Sequence, residues 1–172
     1  MKLRVEDLPE DGLLVDIDQE DAWAVEAAAV ALEGPVTGLL VSVQLDRIAE
    51  LLRVHGTARA TVVRACDRCG GDIRLALSGT VELLFEPLRP ATQAEEHITD
   101  PTELDLGFFD GKELDLTDVV MEQLALWLPE RLRCGDPGVE QVGGPWTCTL
   151  PQQDPGPPTD RHKPFANLRL PD

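Results

Sequence analysis

Thr57-Ala58-Arg59-Ala60-Thr61-Val62-Val63-Arg64-Ala65-Cys66-Asp67-Arg68-Cys69-Gly70-Gly71-Asp72-Ile73-Arg74-Leu75-Ala76-Leu77 contains two alternating runs on either side of a turn. In the first run Ala58, Ala60, Val62 and Arg64 share one face. Arg59, Thr61, Val63 and Ala65 share the other, as the period of two of a strand requires. The second run continues through Val81, Leu83 and Phe85, with Gly79 read as a bulge. Cys69-Gly70-Gly71-Asp72 supplies the residue types of a tight turn. Upstream, Leu39, Val41, Val43 and Leu45 alternate as well, and His55-Gly56 reads as a second turn. Strands joined by short turns pair antiparallel, so residues 36 to 87 are expected to form a β-meander.

Outward from the meander, Leu13 to Ile17 reads as a further strand. Asp21 to Leu32 is ambiguous, because its alanines favour a helix. Trp23, Val25, Val30 and Leu32 also fit alternation, and the reading taken is a strand that could pair with residues 36 to 45. Residues 88 to 112 form an acidic connection containing proline. Thr117 to Leu128 is the best helix, with Asp115 or Thr117 as its cap and Leu116, Val120, Leu124 and Trp127 recurring on one face. Pro129 ends it. Six of the 14 prolines fall in the last 22 residues, so 151–172 reads as an extended Pro-rich tail. That tail carries the basic, apolar cluster from Arg161 to Leu168. The expected fold is α+β. An antiparallel β-meander, or a partly open barrel-like sheet, carries one main C-terminal helix within a single domain over 1–150.

The chain has 172 residues and a formal charge of −17, with 32 acidic residues against 15 basic ones. Hydrophobic residues make up 42%, enough for a core and against wholesale disorder. The charge argues against a protein that coats nucleic acid, because phosphate contacts need a basic surface. The charge is uneven, however. Ten acids lie in residues 1–34 and ten in 95–122, whereas residues 47–74 hold six arginines and three acids. No apolar run approaches the roughly 20 residues of a membrane helix, and acids occupy the N-terminal stretch where a signal peptide would be apolar. A cytoplasmic location without membrane contact is the expectation.

Cys66-Asp67-Arg68-Cys69 is the sharpest chemical motif. Two thiolates separated by two residues can ligate one zinc, and Cys134 and Cys148 could complete a four-cysteine site. A thiol redox centre is the competing reading. It needs a helix N-terminus to activate the first thiol, whereas this CxxC lies in a β-turn. A turn that merely contains cysteines is the third. Ser42 and Ser78 lie in no nucleophile elbow, and His55, His97 and His162 are scattered. With no phosphate-binding glycine motif and no singled-out carboxylate pair, the expectation is a protein that is not an enzyme.

The ordered features resemble the YceD family. The resemblance rests on Arg64-Ala65-Cys66-Asp67-Arg68-Cys69 after an arginine-bearing strand, and on Glu82-Leu83-Leu84-Phe85-Glu86-Pro87 followed by an acidic stretch. It rests also on the run from Glu113 to Pro129, ending Leu126-Trp127-Leu128-Pro129 shortly before Cys134, and on the ending from Asp160 to Leu168. Together these span roughly residues 36 to 168. The resemblance implies a bacterial cytosolic protein, with plastid relatives, that supports synthesis, processing or stability of large-subunit ribosomal RNA without an enzymatic reaction. It also implies a zinc site at Cys66, Cys69, Cys134 and Cys148. The family often carries a second CxxC where this chain has Cys134-Gly135-Asp136-Pro137 and, later, Trp146-Thr147-Cys148. The implied partner is large-subunit rRNA precursor or a pre-ribosomal particle. For direct RNA contact the candidates are Arg59, Arg64, Arg68 and Arg74, unless these simply pair with nearby acids. The alternative is an acidic module that escorts a basic ribosomal protein.

Overall fold

The computed structural model of the chain describes residues 1–88 and 106–148. The elements in chain order are β1 (Lys2–Arg4), a 3-10 turn (Val5–Asp7), β2 (Leu13–Asp18), α1 (Ala22–Ala31), β3 (Val36–Ile48), β4 (Leu51–Ala65), β5 (Asp72–Pro87), β6 (Leu106–Phe109), β7 (Glu113–Asp115), α2 (Leu116–Leu126) and β8 (Val139–Gln141). The main sheet is open, in the order β2-β3-β4-β5-β6, with β8 added along β5. β1 and β7 form a separate antiparallel pair.

The meander is antiparallel through β2, β3, β4 and β5, and its alternation sorts the side chains. Val41, Val43, Leu45, Val54, Ala60, Val62, Ile73, Leu77 and Val81 are buried on one face. Thr57, Arg59, Arg74, Ser78 and Thr80 lie exposed on the other. A sheet with one solvated face needs a cover on the other. That cover is α2, which contacts β4 and β5, together with α1, which contacts α2 and β3. Leu116, Val120 and Leu124 are fully buried, the stripe expected from the sequence. The Asp115 carboxylate accepts the Thr117 N–H at 3.1 Å and caps α2 as foreseen.

Three expectations are corrected. Residues 22–31 form helix α1, not a strand. β2 pairs directly with β3, Leu13 opposite Leu45, so no free edge of β3 remains for them. Ala24 and Ala28, four apart, are fully buried, and their small side chains let the helix lie close on the core. His55-Gly56 is not a turn but the middle of β4, with Gly56 between Val43 and Val81. A Cβ there would collide with the Ser42 carbonyl oxygen and come within 2.7 Å of Val43 Cα. The reversal lies instead at Ala49-Glu50, where Ala49 takes φ 54°. Gly79 is in register opposite Ala58 and makes no bulge with β4; the irregularity falls in β3, between Thr37 and Leu40.

The acidic connection is also shorter than expected at its far end. Residues 106–109 are β6, pairing parallel with β5, Leu84 opposite Leu106. The rest of that connection (89–105) and the Pro-rich tail (151–172) lie outside the described residues. No described helix is long and apolar enough to cross a membrane.

Gly79 has a packing role. The Trp127 ring lies against it, so that a Cβ would sit 2.6 Å from Trp127 Cζ2. Gly79→Ala is therefore expected to push Trp127 off the sheet. The expected loss is about 1–3 kcal/mol of unfolding free energy, read from the denaturant midpoint, with a shift in tryptophan emission. An unchanged midpoint would contradict this packing.

Candidate metal centre

The β4–β5 hairpin ends in the CxxC turn. Cys66 N–H donates to the Gly71 carbonyl at 2.8 Å, and Gly70 N–H donates to the Cys66 carbonyl at 2.9 Å. Both sulfurs are thereby turned to one side of the hairpin tip. After α2, Pro129 stops the helix and the chain returns to this tip. Asp67 N–H donates to the Leu132 carbonyl at 2.8 Å, and Leu132 N–H donates to Asp67 Oδ2 at 2.6 Å. The Leu132 side chain is buried. Two residues later, Cys134 N–H reaches Cys66 Sγ at 3.3 Å.

The fourth cysteine arrives by a different support. β8 pairs along β5 with Ile73 opposite Gln141. The Gln141 amide then brackets Trp146, donating to its carbonyl and accepting its N–H, both at 3.0 Å. The Trp146 ring lies on Gly71, where a Cβ would approach Cζ2 to 2.7 Å. This contact requires glycine at the second position after the CxxC and sets the course of the chain into Cys148.

The four sulfurs lie within 4.8 Å of one another. Cys66 Sγ and Cys134 Sγ are 3.6 Å apart, and Cys69 Sγ and Cys134 Sγ are 3.7 Å apart. A disulfide needs about 2.05 Å, and all four are free thiols. Sulfurs at about 2.3 Å from a tetrahedral zinc are separated by about 3.8 Å, so these spacings fit that ion.

The titration of the cluster points the same way. Burial pushes the Cys66 thiol up, but N–H groups of Cys134, Arg68 and Cys69 and the Cys134 thiol bring it down to about 6. Cys69 is lowered chiefly by the Gly71 N–H and then by Trp146. Cys134 is drawn down by Cys148 but raised on balance by burial and by Cys66 and Cys69. Cys148 is pushed up to about 12, first by Cys134 and then by burial. Cys66 and Cys69 are shifted toward the thiolate and Cys134 and Cys148 toward the thiol, because the clustered sulfurs and nearby N–H groups hydrogen-bond to one another while burial opposes charge. A divalent cation in their midst would replace the thiol protons. The buried Trp146 Nε1–H meets no hydrogen-bond geometry with any described acceptor, yet Trp146 lowers the Cys69 thiol, and a thiolate at Cys69 would be a better acceptor for it than the thiol. The residues thus fit a closed four-sulfur site, which supplies a structural cross-link and leaves no position for substrate.

The four cysteines expected from the sequence are therefore brought together. The four candidate arginines are not. Arg59 and Arg74 lie on the solvated sheet face, with Arg74 4.0 Å from Glu140. Arg64 is on the helix side, paired with Glu33 at 2.6 Å. Arg68 stands on the CxxC turn. Sequence reading missed the supporting roles of Asp67 and Trp146. The signal for Trp146 was present, an indole two residues before a cysteine and a Gly-Gly pair for it to cover.

The family model described as "Large ribosomal RNA subunit accumulation protein YceD" matches residues 54–170, a span that includes all four cysteines. No curated protein and no solved structure matches the chain.

Elemental analysis of purified protein is expected to give about one zinc per chain. Cys66→Ser and Cys134→Ser should each remove most of it and lower the melting temperature. Protons compete for the thiolates, so retention should weaken as pH falls through about 6, where Cys66 takes up its proton. Metal-free wild-type protein whose melting is indifferent to chelator would contradict the site.

Proposed function

The chain belongs to the YceD family, and from that membership we propose that it is a non-enzymatic cytoplasmic factor supporting the accumulation of large-subunit ribosomal RNA. It would act on the synthesis, processing or stability of that RNA, in contact with rRNA precursor or a pre-ribosomal particle. The family match over residues 54–170 carries the reading. The metal centre is consistent with it. A zinc bound by Cys66, Cys69, Cys134 and Cys148 would tie the hairpin tip to the segment after α2 and so stabilise a binding surface. Thiol redox chemistry fits the geometry less well. Cys66 is only 2% exposed, which bars thiol exchange with a bulky partner, and its CxxC sits on a hairpin rather than at a helix N-terminus.

Deletion of the gene is expected to lower large-subunit rRNA relative to small-subunit rRNA, measured by quantitative RNA profiling. Wild-type protein should restore the ratio, and Cys66→Ser/Cys134→Ser should restore it poorly. An unchanged ratio after deletion would refute the assignment. Affinity capture from nuclease-treated lysate separates the escort reading, because basic ribosomal proteins retained without RNA would favour an acidic escort.

A further inference from the structure

The geometry points to a phosphate-binding cleft made by Arg68, Arg131 and Arg133, whose ligand is the sugar-phosphate backbone of RNA. The inference rests on the ribosomal RNA reading above and gives it a contact surface. The cleft is about 400 Å³, lies beside the cysteine cluster, and is completed by Asp67 and Glu130. Arg4, Arg53, Arg64 and Arg74 each lie within 4.0 Å of an acid. Among the described residues, Arg47, Arg59, Arg68, Arg131 and Arg133 have no such partner, and of these only the last three line one cleft together. Asp67 makes no ion pair with them and its Oδ2 accepts the Leu132 N–H at 2.6 Å, but its charge and that of Glu130 offset part of theirs. Three arginines against two acids thus line one concavity, a local positive excess in a chain of net charge −17.

The arrangement is rigid at its base. Leu132 is buried and doubly bonded to Asp67, so its neighbours Arg131 and Arg133 point away from the core. Arg133 N–H is held by Asp136 Oδ2 at 3.0 Å. Guanidinium forks on a fixed backbone suit the paired oxygens of a phosphate. The cleft also offers carboxylate acceptors. Ribose 2′-hydroxyls can donate to these, whereas the side chains of an acidic peptide present acceptors alone. RNA therefore matches both parts of the lining.

The test is fluorescence anisotropy of the full chain with labelled transcripts of large-subunit rRNA precursor across a salt series. Wild-type protein should bind, with log affinity falling against log salt. Arg131→Gln/Arg133→Gln should weaken binding by about tenfold or more and reduce the salt slope by about two. Arg59→Gln/Arg74→Gln should leave both unchanged, and zinc content and melting of the cleft variant should match wild type. If the double variant loses metal or unfolds, the exposed Arg131→Gln alone decides, with a slope reduced by about one. The cleft assignment is overturned if these variants bind RNA like wild type, if their zinc falls while RNA binding does not, or if wild type binds polyglutamate and not the transcripts. Each of those results leaves the family role to the rRNA ratio after deletion. Conversely, an unchanged ratio together with arginine-dependent binding would refute the ribosomal role and keep the cleft.

Discussion

Asp67 and Leu132 exchange two hydrogen bonds, and much of the molecule's chemistry depends on that exchange. Each bond is worth only about 1–3 kcal/mol, the carboxylate one being the stronger. Their effect is positional. They fasten the chain leaving α2 to the tip of the β4–β5 hairpin, with the Leu132 side chain sealed into the core. Cys134, two residues on, then arrives 3.6 Å from Cys66. Arg131 and Arg133, one residue to either side, flank Arg68. A single junction therefore places both a sulfur cluster and a concentration of positive charge.

The sheet beneath the junction was legible because its residues obey one period. Val62, Ile73, Leu75 and Leu77 are buried where alternation puts them, and the cysteine turn falls between two such runs. Misreadings arose where local cues compete. Residues 22–31 carry both an alanine run and an apolar alternation, and only the pairing of β2 with β3 decides against a strand. Gly56 looked like a turn because glycine usually marks one. Its actual task is to admit the backbone of Val43, while the true reversal uses Ala49 in a conformation alanine seldom adopts.

The candidate site shows the same limit. All four cysteines could be named from the sequence, since few residue types serve as thiolate ligands and the chain has only four. The arginines could not be sorted in that way. Strand position alone cannot tell Arg64, held by Glu33 just after α1, from Arg68, which forms no ion pair. Nor does sequence distance suggest that Arg131 and Arg133 approach Arg68. The net charge is likewise an average that conceals where the cations gather.

The cluster also joins sulfurs from distant parts of the chain, Cys66 and Cys69 on one side and Cys134 and Cys148 on the other. During synthesis the hairpin emerges first, and its two thiols must wait while the intervening chain is made. Closure of so long a loop is a late event, coming only after α2 can pack. In the nascent chain Cys66 and Cys69 thus form a half-site open to solvent, metal and oxidant. Only the arrival of Leu132 and its neighbours turns that half-site into a protected one. The order of translation thereby sets a period of chemical vulnerability that the finished fold conceals.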